Sequence, residues 1–426
     1  MGCLSVRPVG ANGERQVSQG EQLVQVYLVG GAVRDRLLGR SVNERDWVVV
    51  GSTEDEMLAQ GFRRVGRDFP VFLHPQTGEE YALARTERKR GRGHRGFDVQ
   101  ASPDVTLEAD LSRRDLSVNA IAQADDGTLI DPYGGIEDLR ARRLRHLSPA
   151  FAEDPLRVLR VARFWARYAE LGFRVAEQTW ELMTQMSRSG ELDSLTPERV
   201  WGEFQRALDE PQPERFVELL RRCEALPVLF PEFARLYAVA MPDGSSPSVG
   251  LHCEEALAAA ARSGAQSEQR FAAWVADLTA APPACIANDT SKGRGAADAE
   301  LQRWCRRVRA PNRFRETAAA MVRGLACAAS AGLGPTSVLE VLEALDALRR
   351  PERLDDFLVV RAAHQSARGE GAGCDAPFWR TALEHARAVS ARHHVQAGLS
   401  GEQIADRLRQ DRLTALEALI EARRKA

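Results

Sequence analysis

Two glycines set between a short apolar run and an amphipathic one, with two acids close behind, constrain this chain more than any other part of it. The segment is residues 27–53, YLVGGAVRDRLLGRSVNERDWVVVGST. Val26 to Val29 runs into Gly30 and Gly31, an amphipathic stretch follows, and a β-branched run begins after Asp46. The pattern predicts strand, glycine turn, helix, loop and strand. A Gly-Gly turn feeding a helix N-terminus leaves backbone N–H groups free to hold phosphate. Arg34, one turn into that helix, adds a charge-assisted donor for phosphate oxygens. Asp35 fits the same turns as a helix-stabilising acid. Glu44 and Asp46 stand at spacing two where a strand begins, so both carboxylates point to one face. A triphosphate cradle beside paired acids implies metal-dependent nucleotidyl transfer, in which acidic oxygens bridge ions about 3.5–4 Å apart.

At 426 residues the chain has room for two to four domains with sizeable cores. A formal charge of -2 neither requires nor excludes a nucleic-acid partner, because one basic face is enough. Charge is uneven locally: residues 85–95 read RTERKRGRGHR, and arginines crowd residues 138–170. Cysteines 3, 223, 253, 285, 305, 327 and 374 form no CxxC and no metal spacing, which predicts a reduced, cytoplasmic protein. No apolar run reaches the length of a membrane span. Residues 1–26 lack the apolar core of a signal peptide and read as a disordered tail.

Residues 27–146 alternate β-branched runs with short helices, with Val48–Val50 and Tyr81–Ala84 as strands. From about residue 147 the pattern is helical, broken by Pro197, Pro211 and Pro213. A linker is expected at 241–250 and a turn-rich insertion without periodicity at 279–297. The stretch EDPLRVLRVARFWARY, residues 153–168, is a base reader. Pro155 places Glu153 and Asp154 at a helix start, and Asp154, Arg157, Arg160 and Arg163 recur every three residues as a polar stripe. A carboxylate accepts and a guanidinium donates. Cytosine and adenine each offer a donor beside an acceptor in the order that suits an Asp–Arg pair, and guanine and uracil present the reverse. Such a pair selects C and A without a template.

These segments, with RDFPVFLHP (67–75), EEYALARTERKRGRG (79–93), LSRRDLSVNAIAQ (111–123) and IDPYGGIEDL (130–139), closely resemble the class II tRNA nucleotidyltransferases, the CCA-adding enzymes of the polymerase β superfamily. The likeness is dense over residues 25–235 and looser beyond. The resemblance implies an α/β polymerase β-like nucleotidyltransferase head over 27–146, followed by an all-α neck, body and tail. The neck with the base reader spans 147–240, a helical body 241–330, and a tRNA-binding helical region 331–426. The implied activity is addition of C, C and A to tRNA 3′ ends from CTP and ATP, with Mg²⁺, pyrophosphate as product and the tRNA acceptor arm as partner.

Residue by residue, the resemblance implies Glu44 and Asp46 as catalytic metal ligands. Gly31, Arg34, Arg114, Asp154, Arg157, Arg160 and Arg163 become nucleotide ligands, with Gly30, Asp115 and Glu153 as further candidates beside them. Arg114 is the second arginine of the RRD motif. Glu87 is either a third acid near the metals or the partner of a nearby arginine. The family usually carries Asp at both metal positions. Glu44 reaches about 1.5 Å further, which is large against metal–ligand tolerances of about 0.2 Å. The long bacterial form also carries an HD phosphohydrolase domain. Here His252 stands in GLHCEEAL, but the expected His-Asp pair reads Ala276-Asp277, and no histidine lies between His252 and His364. That hydrolase activity is therefore expected to be absent. Two rival readings stay open: a bacterial poly(A) polymerase, and a non-catalytic tRNA-binding homologue with a metal site impaired at Glu44.

Overall fold

The computed structural model describes residues 24–42, 44–65, 71–89, 97–278, 290–329, 334–370 and 376–425. Its contacts divide the chain into two units, Met1–Leu195 and Thr196–Ala426. Residues 147–195 thus belong with the head, while the later stretches expected as body and tail fall within one unit.

The first unit opens with β1 (Gln25–Val29), α1 (Gly31–Leu37) and β2 (Asp46–Val50), the elements the glycine segment predicts. Then come α2 (Glu54–Ala59), β3 (Arg63–Val65), β4 (Val71–Leu73), β5 (Glu80–Leu83), β6 (Arg85–Lys89) and β7 (Phe97–Ala101). They lead to α3 (Leu107–Ser112), β8 (Ala122–Gln123), β9 (Leu129–Ile130), α4 (Gly135–Arg140) and β10 (Arg143–Leu144). The unit closes with α5 (Leu156–Tyr168), β11 (Arg174–Val175) and α6 (Glu177–Arg188). The main sheet has the order β3-β4-β5-β2-β1-β8-β9. β2 is antiparallel to β1 and parallel to β5.

A central strand buried on both faces reads as a continuous β-branched run, which is what Val48–Val50 supplies. Val48 packs with Val29, Ala84, Leu107 and Leu111 on one face, and Val49 with Met57, Phe72 and Leu83 on the other. α2 is started by a reciprocal cap, Thr53 with Glu56, that satisfies two of its orphan N–H groups. The tail expected over 1–26 lies outside the described residues up to 23, and Gln25 and Val26 already belong to β1.

The second unit is helical: α7 (Pro197–Leu208), α8 (Glu214–Arg222), α9 (Leu226–Leu229), α10 (Pro231–Ala234), α11 (Val249–Arg262), α12 (Ser267–Val275) and α13 (Thr290–Arg307) come first. They are followed by α14 (Asn312–Ala329), α15 (Pro335–Ala344), α16 (Glu352–Ala367), α17 (Ala376–Ala388), α18 (Arg392–Gln396) and α19 (Gly401–Lys425). α11 packs on α16 and α12 on α14. The insertion expected over 279–297 is corrected at its end. Residues 290–297 are the first turns of α13, whose glycines weaken a helix that the following Ala- and Leu-bearing run carries. Aromatic rings fill the centre of this unit. Trp274 stacks on Phe233 at 3.9 Å and meets Phe204 edge-on at 5.0 Å.

Trp274→Ala removes the ring around which Phe204, Phe230, Phe233 and Trp304 are arranged. The expected loss is about 3–5 kcal/mol of stability, read as a lower guanidinium chloride midpoint. A midpoint equal to that of the unaltered protein would show that this cluster does not hold the unit together.

Candidate active site

Asp46 is the first residue of β2, and its Cα partners are Val29 on β1 and Glu80 on β5. Burial pushes its carboxyl above the ordinary carboxylate range, the Glu44 charge pushes the same way, and the Arg114 guanidinium opposes both. Two acids and one arginine are therefore close enough to feel one another, as the sequence spacing predicts. Glu44 itself is exposed. Glu80, in register with Asp46 on a parallel strand, presents a third carboxylate on the same face. Sequence reasoning missed it, although the alternation in EEYALA carries the signal. Carboxylate oxygens are the hard ligands that a divalent cation takes, and among the described residues these three do not converge to within ligating distance of one another as they stand. Glu87 lies on β6 opposite Val99, but its side chain falls outside the described residues.

Arg114 approaches the acids over Gly30. Gly30 has φ 67 and ψ -125, and a Cβ there would stand 2.8 Å from Arg114 Nη1, so only glycine leaves the passage open. Arg114 Nη1 donates to the Asn119 carbonyl at 3.3 Å, and Nη2 pairs with Asp110 at 3.4 Å. Asp110, fully buried, also takes Arg113 at 2.6 Å. The Gly30 N–H is not free for phosphate as expected, because it donates to the Ile121 carbonyl at 3.2 Å. The sheet claims that donor, and the helix proper begins at Gly31.

Arg34 also departs from expectation. It is only 3% exposed. Its Nε and Nη2 pair with Asp35 at 3.0 and 3.1 Å, and Nη1 donates to Asn119 Oδ1. Its face lies 5.0 Å from the Tyr168 ring and 5.4 Å from that of Phe164. The reason is local: α1 turns this side chain against the aromatic side of α5 rather than leaving it open at the glycine turn. Burial would raise Asp35, but Arg34 and the Tyr168 hydroxyl outweigh it and hold the carboxyl below its usual range. Tyr168, buried and donating to Asp35 at 2.9 Å, is pushed up to about 12.

The expected stripe on α5 is spread over several tasks. Asp154 precedes the helix, Pro155 is its N-cap, and Asp154 Oδ1 accepts the Leu156 N–H at 3.1 Å. Glu153 ends the short helical turn Pro149–Glu153. Arg157 is buried, with Nη1 donating to the Ala150 carbonyl at 2.9 Å and Nη2 to that of Arg113. It ties α5 to the RRD turn through Arg113 and to the turn Pro149–Glu153 through Ala150. Arg160 pairs with Asp115 at 2.7 Å, and Arg163 lies over Phe164 at 4.6 Å. Burial would raise Asp115, but Arg160 and the Asn119 amide hold it well below the ordinary range.

Comparison with known proteins fits this geometry. The profile described as "Poly A polymerase head domain" matches residues 26–145, and "Probable RNA and SrmB- binding site of polymerase A" matches 172–236. A multifunctional CCA protein of Pseudomonas paraeruginosa is 51% identical over 418 residues, covering 95% of this chain and 100% of that protein. One from Nitrosococcus oceani is 48% identical over 94% of this chain and 100% of its own. The chain belongs to the CCA-adding family. A solved Bacillus stearothermophilus CCA-adding enzyme in complex with CTP has 25% identity and a TM-score of 0.61, with 94% of each chain covered. A Thermotoga maritima CCA-adding enzyme complexed with tRNA shares the fold at 21% identity and TM-score 0.59.

The HD-like region of this CCA-adding chain needs a correction. Sequence spacing leaves His252 and Asp277 alone, but the fold brings His364 from α16 to them. His252 Nε2 lies 3.0 Å from His364 Nδ1, and the Asp277 carboxylate lies 3.5 and 3.3 Å from the two rings. Those edges match the separation of about 3.3 Å between ligands of one tetrahedral ion bound at about 2.0–2.1 Å. A cleft of about 240 Å³ adjoins them, lined by Ala276, Asp277, Arg361, His364 and Arg368 among others. Burial and the neighbouring His364 push His252 below the ordinary histidine range, so its ring is neutral and able to ligate. No spacing rule connects residues so far apart, which is why His364 was missed.

Asp115 supplies a pH test. A carboxyl held low in the folded state contributes stability that is present above its unfolded value near 3.9 and lost as pH falls through the folded one. Asp115→Asn should lower the melting temperature by roughly 5 °C at pH 7. The gap should narrow as pH drops below about 4. A gap that stays constant from pH 7 to pH 3 would remove Asp115 from the charge balance.

Proposed function

We infer that this chain adds C, C and A to the 3′ ends of tRNA from CTP and ATP and releases pyrophosphate. The observation that carries it is the acid pair Glu44 and Asp46 at the end of β2 with Arg114 set against it. It occurs in a chain that is about half identical to multifunctional CCA proteins over 95% of its length.

A divalent cation belongs to this chemistry, and we take it to be Mg²⁺, held by Asp46 and Glu44. When bound, it neutralises charge on the transferring α-phosphate and favours ionisation of the attacking 3′-hydroxyl. The remaining tasks fall to this chain's side chains. Arg114 neutralises phosphate charge next to the acids. The N–H groups from Gly31 onward lie at the helix end that favours anions, with Arg34 buried against α5 rather than among them. Asp154 and Arg157 are assigned the choice of C and A by donor and acceptor order, which requires Arg157 to give up its bonds to the Ala150 and Arg113 carbonyls when a base arrives, while Arg160 and Arg163 are assigned contacts to the nucleotide. The tRNA acceptor arm is placed on the helical residues beyond 196 through phosphate contacts. Among the described residues no helix is long and apolar enough to cross a membrane, and we place the protein in the cytoplasm.

The head matches the model described for poly(A) polymerases, but multifunctional CCA proteins match along 94–95% of the chain. Incubating a tRNA that lacks CCA with CTP, ATP or both separates the readings. Addition limited to ATP on unrelated RNA favours the polymerase.

Asp46→Ala should abolish nucleotide addition and leave tRNA binding nearly intact, with gel extension and filter binding as the two readouts. Glu44→Asp should hold or raise the rate, because it restores the shorter carboxylate. A loss of tenfold or more, about 1.4 kcal/mol of barrier, would show that the site is built around Glu44. Activity of Asp46→Ala within a few fold of the unaltered protein removes Asp46 from the mechanism.

We further propose that the phosphohydrolase of the long form is absent. Ala276 puts a methyl group where the signature has a histidine. His252, Asp277 and His364 can serve one ion but not the bridged pair of a two-metal clamp. Phosphatase and phosphodiesterase assays with Mg²⁺, Mn²⁺, Ni²⁺ or Co²⁺ should give no turnover. Turnover that follows the protein through purification and disappears in His252→Ala overturns this.

A further inference from the structure

Two arginines of the site meet at one neutral residue, and a third is joined to it through a carboxylate. Asn119 ends a short helical turn, Ser117–Asn119, and is 6% exposed. Its Oδ1 accepts from Arg34 Nη1, and its Nδ2 donates to Asp115 Oδ1 at 2.8 Å. Its main-chain carbonyl accepts from Arg114 Nη1 at 3.3 Å. The other oxygen of Asp115 takes Arg160, through Nε and Nη2, both at 2.7 Å. A continuous path therefore runs Arg34–Asn119–Asp115–Arg160 from α1 to α5, with a branch to the arginine beside the acids.

We propose that Asn119 is a positioning residue for nucleotide binding, which sets the phosphate-side arginines in register with the base-side helix. This rests on the nucleotide site described under the proposed function. The chemistry is specific to an amide. Arg34 needs an acceptor, Asp115 needs a donor, and a carboxamide offers both from separate atoms of one planar side chain, which a hydroxyl at this position does not. A carboxylate of the same shape sets two negative groups 2.8 Å apart. An apolar residue leaves a buried guanidinium and a buried carboxylate each short of a partner. The turn is itself pinned. The Leu116 N–H donates to Asp115 Oδ1 at 2.8 Å, Asn119 N–H donates to the Leu116 carbonyl at 2.9 Å, and Ser117 Oγ donates to Asp138 at 2.5 Å. Asn119 therefore has little freedom to follow a displaced partner. A nucleotide that moves Arg160 is felt at Arg34 and Arg114 through this residue.

The test is a set of double-mutant cycles on the full chain. Arg34→Lys and Arg160→Lys are made singly and together, first with Asn119 present and then with Asn119→Ala, and KM and kcat for CTP addition to tRNA are measured. With Asn119 present, the KM change of the double variant should differ from the product of the singles by about fivefold or more. With Asn119→Ala, the two changes should multiply to within about twofold. The preference for CTP over UTP should also fall roughly tenfold, while kcat at saturating CTP changes less than KM. If the alanine variant fails to fold, Asn119→Asp, which keeps the shape but removes the donor to Asp115, takes its place. Coupling that survives without Asn119 overturns the inference, and so do KM and base preference within twofold of the unaltered protein. If neither arginine variant alters nucleotide KM, the site reading itself fails first and the inference falls with it.

Discussion

Buried guanidinium groups need acceptors, and in the first unit that need organises the site. Arg34, Arg113, Arg114, Arg157 and Arg160 are matched by Asp35, Asp110, Asp115 and main-chain carbonyls. Single buried pairs add little net stability, because desolvating both charges offsets their attraction, but removing one partner is strongly destabilising. The network therefore specifies geometry more than it adds stability. It fixes where these donors stand, which is what electrostatic preorganisation of the proposed nucleotide site requires.

The same balance explains what was legible in the sequence. The β1–α1–β2 segment was read correctly, because strand, glycine turn and helix follow from local patterning, and the register of Asp46 follows from a period of two. Tyr81 and Leu83 were recognisable as strand for the same reason. The fate of Arg34 was not legible: whether a guanidinium faces solvent or the interior depends on Tyr168 and Phe164, which lie more than a hundred residues away. Arg157 was read as part of a uniform stripe, yet the carbonyls of Ala150 and Arg113 draw it aside. Helical periodicity predicts the face on which a residue stands but not the partner that it finds there.

In the helical unit the limits were of another kind. The loss of a histidine at Ala276 was visible in a motif, and from it the metal-ligand set looked broken. Helix α16 then delivered His364 to the same point, through the packing of α11 on α16. Motifs record neighbours along the chain, and a ligand set is a matter of neighbours in space. The buried tryptophans and phenylalanines around Trp274 show the same thing in an apolar setting, since they come from five separate helices or turns.

β2 is buried on both faces along Val48 and Val49 and hydrogen-bonded on both edges, so Asp46 sits at the end of a firmly held interior strand of the sheet. An anchor of that kind cannot travel with a growing chain. Each nucleotide joined to an RNA end carries the new hydroxyl one backbone unit away from where the last bond formed. The acids stay put, so the RNA end must be drawn back by that unit before the next addition, and the work of translocation falls on the contacts that grip the RNA.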